Sequence, residues 1–349
     1  MQPAVMSVNR FRFLWLLLAG VLALSSCFKE DTMAPPVPPS PGLKTGIIEM
    51  GPSYGEQFYY SLNTNSVLSQ NSRFAYDLLF ECGHDSFRIW LNTAKFMSAL
   101  KTNKKTTGSV TFQDTIGRQW RFETGQFSDT SSALGVWWSD YNDGMPVSDS
   151  SVYLISLGRD GVGEPLGYVR LQIGNYSAAG YSIRWQMMNS SVVNQLTIPK
   201  DITRNYRYVS LTGGGTIVND IEPHKDEWDF CLTRYTYIFY EPYYLPYEVV
   251  GVLHNPSRIT AYLDSTIAKP FDSVALTDIN FNRFYSYRDA IGYEWKTYSG
   301  IGTGGGTYSV RDNFYYFIRQ DGGKIYKLRF RAYDRDGVNG YPVFEYGEL

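Results

Sequence analysis

Alternation with a period of two is the strongest pattern along the chain. In Lys327-Leu328-Arg329-Phe330-Arg331-Ala332-Tyr333, apolar and basic residues alternate. This puts Leu328, Phe330 and Ala332 on one face of a strand and the charges on the other. Val169, Leu171 and Ile173 repeat the pattern. Asp-Gly pairs at 160–161 and 321–322 divide strand-like runs, and glycine's tolerance of positive φ suits such pairs to hairpins. Helical periodicity is scarce, and residues 94–101 (AKFMSALK) alone predict one short helix. The pattern predicts an all-β protein of mainly antiparallel strands, sandwich- or barrel-like.

The pattern also repeats. Residues 153–173 (YLISLGRDGVGEPLGYVRLQI) and 315–330 (YYFIRQDGGKIYKLRF) both read strand, Asp-Gly turn, strand. Each continues to a Gly-Tyr pair, Gly180-Tyr181 in one and Gly340-Tyr341 in the other. Upstream, Tyr59-Tyr60-Ser61-Leu62 and Tyr76-Asp77-Leu78-Leu79-Phe80 are answered by Tyr208-Val209-Ser210-Leu211 and Trp228-Asp229-Phe230-Cys231-Leu232. Order and register agree, which predicts two tandem β modules, 46–198 and 199–349. Whether they fold separately or share a sheet is open at this point.

The first residues read as a targeting segment. Arg10 and Arg12 flank the apolar run Phe13 to Leu24, which is shorter than the roughly 20 residues a membrane span needs. It ends Leu24-Ser25-Ser26-Cys27, which resembles the bacterial lipobox. Residues 1–26 are therefore expected to be a lipoprotein signal peptide and Cys27 the lipidated residue. Each buried methylene of an acyl chain adds about 0.8 kcal/mol, and two or more chains anchor stably. Lys29-Glu30-Asp31 resembles the surface-export signal of Bacteroidetes lipoproteins. Residues 27–45, with five prolines between 35 and 41, read as an extended tether. The expected location is the outer membrane, with the body exposed at the cell surface.

Composition narrows the partners. A net charge of −2 and a pI near 6.0 argue against nucleic acid. The 29 tyrosines and the 16% aromatic content favour sheets. Besides Cys27 there are Cys82 and Cys231; they form a disulfide or remain two buried thiols. No nucleophile elbow or His-Glu-x-x-His pair is present, and no enzyme is expected.

The second module resembles the HmuY-like family of haem-binding Bacteroidetes lipoproteins. The resemblance runs through Tyr208–Leu211, Asp226–Phe230, Thr233-Arg234-Tyr235, Gly292-Tyr293-Glu294-Trp295 and the closing run YYFIRQDGGKIYKLRF…GYPVFEY. The first module looks like a diverged copy. The resemblance implies an all-β fold, a lipid anchor, and capture of haem near a TonB-dependent outer-membrane receptor. One departure is plain. The family's best-known carriers hold iron between two histidines, and one of those positions falls near Gly300 here. Residues 259–290, where the other lies, contain no histidine, and the last methionine is Met188.

Imidazole ligates haem iron, so His254 is a candidate ligand; His84 and His224 are weaker metal candidates. Cys82 and His84 are two residues apart, but two ligands fall short of a structural zinc site. Tyr235, Tyr237, Tyr240, Tyr243, Tyr244 and Tyr247 crowd one Pro-interrupted segment, where tyrosine can bind ferric haem or stack on a planar ligand. Tyr298 joins them as a ligand-contact candidate, and Trp137-Trp138 offers a further aromatic shelf. The glycine runs at 213–215 and 304–306 read as hairpin connections, and Asp334–Gly340 as a polar turn. Together these readings predict a lipid-anchored binder of haem, a porphyrin or another small planar ligand. The alternative is a surface lipoprotein that binds a glycan or a protein on the same scaffold.

Overall fold

The computed structural model describes residues 42–128, 132–300 and 306–349. The expected signal peptide, Cys27 and nearly all of the tether lie outside the described residues. The body, Ser40–Leu349, is one compact unit. It is all β; its sheets are antiparallel, none closes into a barrel, and its helices are 3-10 turns of three or four residues.

Four sheets make two sandwiches. In the first, a six-stranded sheet (in order Asn194–Ile198, Tyr181–Met187, Tyr168–Ile173, Val152–Ser156, Ser98–Lys101, Arg121–Phe122) faces a four-stranded one (Thr216–Val218, Tyr206–Ser210, Leu78–Glu81, Ile89–Leu91). Val169, Leu171, Ile173, Ile155 and Trp185 meet Leu78, Phe80, Leu91 and Val209 in one core. In the second, a five-stranded sheet (Lys44–Ile47, Val338–Glu348, Ile325–Arg335, Tyr315–Gln320, Ile259–Asp264) faces another four-stranded one (Leu245–His254, Phe230–Phe239, Glu56–Ser61, Ser66–Ser72). Phe58, Tyr60, Phe230 and Val252 pack there on Ile318, Leu328, Phe330 and Phe344.

The other faces of the two four-stranded sheets pack on each other. Tyr59 and Cys231 from one meet Leu79, Trp90, Tyr206 and Tyr208 from the other. The result is four layers, and the central strands of the inner two are covered on both faces, while the edge strand Ser66–Ser72 stays largely exposed. That is why Phe230–Phe239 and Glu56–Ser61 are buried almost throughout, whereas Tyr168–Ile173 alternates.

The expected boundary at 198/199 does not separate two sheets. Tyr206–Ser210 pairs with Leu78–Glu81, Phe230–Phe239 with Glu56–Ser61, and Lys44–Ile47 with Val338–Glu348. Each repeat lends its opening strand to the other. The first sandwich is therefore complete within 73–226, and the second is built from both ends of the chain.

A buried polar network, present twice, fixes this exchange. The Asp229 carboxylate accepts the Leu62 N–H at 2.7 Å, and the Asp77 carboxylate accepts the Leu211 N–H at 2.7 Å. The Asp229 N–H donates to Tyr60 O, and the Asp77 N–H to Val209 O, both at 2.8 Å. Asn255 donates its side-chain amide to the carbonyls of Lys225 and Trp228, and Asn92 does the same to Arg73 and Tyr76. Arg258 neutralises Asp229 at 2.9 Å, and Lys95 neutralises Asp77. Asp77, Asp229, Asn92 and Asn255 are all at most 1% exposed, so every one of these polar atoms needs its partner.

Four local expectations change. Residues 94–101 are not a helix: a 3-10 turn, Thr93–Lys95, ends at Phe96 in the left-handed region, and Ser98–Lys101 is a strand. Pairing with Val152–Ser156 outweighs the weak helical propensity there. The hairpins near 160 and 321 exist, but positive φ falls on Gly163 and Gly323 rather than on Gly161 and Gly322. Two-residue turns with both φ positive fall instead at Asp143-Gly144, between the paired Asn142 and Met145, and at Asp336-Gly337, between the paired Arg335 and Val338. A bulge after Phe330 reverses the alternation, so that Tyr333, not Ala332, enters the core. Lys327 is also inside, donating to the carbonyls of Phe271, Asp272 and Val274. Cys82 and Cys231 are separate buried thiols, not a disulfide.

Two outcomes are expected from this topology. Expressed alone, 46–198 lacks a strand of its inner sheet and does not unfold cooperatively, whereas 73–226 does; a cooperative urea transition for 46–198 alone contradicts the exchange. Asp229→Ala, which strands Arg258 and the Leu62 N–H, costs about 3–5 kcal/mol in urea unfolding. A loss below about 1 kcal/mol would remove the network from its structural role.

Candidate functional site

The second sandwich carries a tyrosine-lined cavity of about 420 Å³. Its walls come from four places. The edge strand Leu245–His254 supplies Tyr247 and Val249, and the hairpin Lys296–Ser299/Thr307–Val310 supplies Lys296, Tyr298 and Tyr308. Phe239 and Tyr293 close one side, and Tyr54 and Tyr333 close another. Strand geometry explains the hairpin's part: Lys296 and Tyr298 are two apart and share a face, and Tyr308 is the cross-strand partner of Tyr298. The rings pack closely. Tyr298–Tyr308 and Tyr308–Tyr333 centroids are 5.1 and 5.0 Å apart, and Tyr54 lies nearly parallel to Tyr333.

Lys296 is the unusual member. Its ammonium donates to the Val250 carbonyl and lies 4.1 Å from the Trp295 ring centre and 4.9 Å from that of Tyr333. No carboxylate lies within ion-pair distance of it among the described residues. Burial pushes it down to about 7. Arg234, the other cation of the lining, is held by Glu248 at 3.3 Å, and Glu248 also takes Arg73 at 3.4 Å. The cavity thus offers seven aromatic rings around one cation that lacks a counter-charge.

The residues picked from sequence are scattered by the fold. Tyr298 lines this cavity, as does Tyr247. Tyr235 is wholly buried and, with Tyr237, lines a second cavity. Tyr240, Tyr243 and Tyr244 are exposed and line neither. His254 is 0% exposed at the end of its strand; its Nδ1 is 3.3 Å from its neighbour's carbonyl, and its Nε2 has no partner. It stands where the other repeat has Leu91, ahead of the paired asparagines, and lines neither cavity. It is a core residue, not a ligand in reach of a bound group. His84 and His224 sit beside Asp85 and Asp226. Among the described residues no group of three His, Cys, Asp or Glu side chains is placed to hold a metal. Trp137 is core, packed edge-on against Trp138.

Sequence reasoning missed Lys296, Tyr54, Tyr308 and Tyr333. Lys296 directly follows Trp295, and that adjacency is its signal in the sequence.

No family model matches the chain, and no curated protein matches it. Among solved structures, apo PinO from Porphyromonas gingivitis aligns at 10% identity and a TM-score of 0.29, over 89% of this chain and 98% of its own. A Bacteroides fragilis protein described as a lipoprotein aligns at 11% identity and 0.21, over 51% of this chain and 89% of its own. Both scores are too low to carry an argument about ligand or partner.

Burial lowers the His254 imidazole to about 4, with the nearby Arg288 charge adding to the effect. The unfolded chain, near 6.5, takes up a proton first as pH falls. Stability from this residue is therefore full above about 6.5 and drains away towards 4. His254→Leu is expected to recover about 2 kcal/mol of the stability lost between pH 7.5 and pH 5, read from urea midpoints. Identical pH dependence in the two proteins would contradict the buried neutral imidazole.

Proposed function

We propose that this chain is a lipid-anchored envelope binding protein that captures a flat, anionic ligand of the porphyrin class, haem included, in the tyrosine-lined cavity. The observation that carries the reading is the ring-lined space around Lys296. Flat rings stack on a planar ligand. A buried ammonium without a counter-charge is matched by a ligand carboxylate, which regains the electrostatic energy lost on burial. The lining contains no His, Met or Cys. Recognition is accordingly of the macrocycle and its carboxylates rather than of iron, and Tyr298 is the phenol available to a ferric centre. A lipid anchor at Cys27 and hand-over to a TonB-dependent outer-membrane receptor complete the proposal; both follow from the sequence resemblance. The chemistry is that of holding, not converting, a ligand.

A second reading, a glycan-binding lipoprotein, is favoured by the same lack of His, Met and Cys in the lining, because tyrosine-lined clefts also suit sugar rings. The two are separated by charge.

Titration of residues 42–349 with haemin and with iron-free protoporphyrin is expected to saturate in the micromolar range for both, with affinities within about threefold, since iron is not the main contact. Lys296→Met is expected to weaken both about tenfold, the cost of one charged hydrogen bond. Affinity falls as pH rises through 7, where Lys296 loses its proton. No saturation with either porphyrin, together with binding of a neutral oligosaccharide that ignores Lys296→Met, would replace this reading with the second.

A further inference from the structure

A second cavity, of about 330 Å³, shares Tyr293 with the first but has the opposite electrostatic character. Its polar lining includes Asp289 and Glu294. Neither carboxylate has a basic side chain within ion-pair distance among the described residues. The cavity's one arginine, Arg283, is already committed: it donates to Asp264 at 3.0 Å and to the Leu263 carbonyl at 2.6 Å. Arg288 precedes Asp289 in sequence but turns away, its guanidinium 4.5 Å from the Phe127 ring centre.

Two buried oxygens on side chains that line this cavity have no hydrogen-bond partner among the described residues. One is Asp289 Oδ1, and the other is the hydroxyl of Tyr235, a side chain 0% exposed. Buried polar atoms are almost always satisfied, so a missing partner on a cavity wall points to a group supplied from outside. Burial first, then the charge of Glu294, pushes Asp289 up to about 6. The Arg288 charge offsets this rise only in part. Aromatic faces surround the acids: Tyr285 and Tyr287 are stacked 5.0 Å apart and exposed, and Tyr237 packs on Tyr293 at 5.0 Å.

We infer that this cavity is a second binding site, for a ligand bearing an organic ammonium group. Carboxylates supply the counter-charge, and tyrosine faces attract a cation through the ring quadrupole. A neutral sugar would satisfy the Tyr235 hydroxyl but would leave two carboxylates in the site without an opposite charge. An anion, the ligand proposed for the first cavity, is repelled here. The inference rests on residues that the porphyrin reading does not use, Tyr293 excepted, and it stands or falls separately.

The test is calorimetric titration of the full chain, in non-ionic detergent, with choline and with its neutral isostere 3,3-dimethyl-1-butanol. Choline is expected to saturate the protein, and the isostere to bind at least about tenfold more weakly, the usual worth of a cation on desolvated rings. Asp289→Asn and Glu294→Gln should each weaken choline about fivefold or more while leaving the thermal midpoint and the haemin titration unchanged. If Asp289→Asn perturbs folding, Glu294→Gln alone carries the comparison. Equal binding of choline and its isostere, no saturation by about 10 mM choline, or occupancy by a neutral methyl glycoside instead would each overturn the assignment.

Discussion

Two buried carboxylates hold this molecule in its topology. Asp77 and Asp229 each accept a backbone N–H from the other repeat, Leu211 and Leu62 respectively. Each is backed by an asparagine that ties down the preceding chain and by a basic residue that cancels its charge. Burying an acid is expensive unless it is paired and fully hydrogen-bonded. Only the exchanged arrangement brings each acid to the backbone N–H it needs, so the network discriminates against two modules folded side by side. The aromatic layer between the inner sheets, with Tyr59, Trp228 and Tyr208 in contact, follows from that exchange.

The same frame serves two different ends. In the first sandwich it closes over a core of Leu78, Phe80, Leu171 and Trp185, with a cleft at the Ser98–Lys101 edge. In the second, the inner sheet runs out to a long edge hairpin, Phe230–Phe239 with Leu245–His254, against which shorter segments pack imperfectly and leave cavities. The divergence is visible within the repeated network itself: the position before the asparagine is Leu91 in one half and His254 in the other. A histidine at a leucine position stays neutral and buried, which is why it is lost to ligand chemistry.

The electrostatic contrast between the cavities depends on where charges fail to find partners. Arg234, Arg283 and Glu248 are all paired, and so define walls rather than sites. Lys296 on one side of Tyr293, and Asp289 with Glu294 on the other, have no opposite charge within ion-pair distance among the described residues. Aromatic walls make these charges matter, since a ring neither neutralises an ion nor hydrates it as water does.

From sequence alone came the period of two, the all-β class, the repeat with its Ser-Leu and aromatic-Asp pairs, and the choice of Tyr298, which lines the first cavity. These are legible because a strand's faces are set by alternation, and a duplication copies residues in order. Three things were decided by the tertiary structure: which repeat supplies each strand, that His254 lies inside, and that Tyr240, Tyr243 and Tyr244 point away from both cavities while Lys296, Tyr308 and Tyr333 converge on one. Periodicity states that a strand has a buried face but not which distant strand covers it. A bulge of one residue, as after Phe330, exchanges the faces without a clear mark in the composition. The first cavity is made by segments about 250 residues apart, such as Tyr54 and Tyr308, and only the paired sheets bring them together.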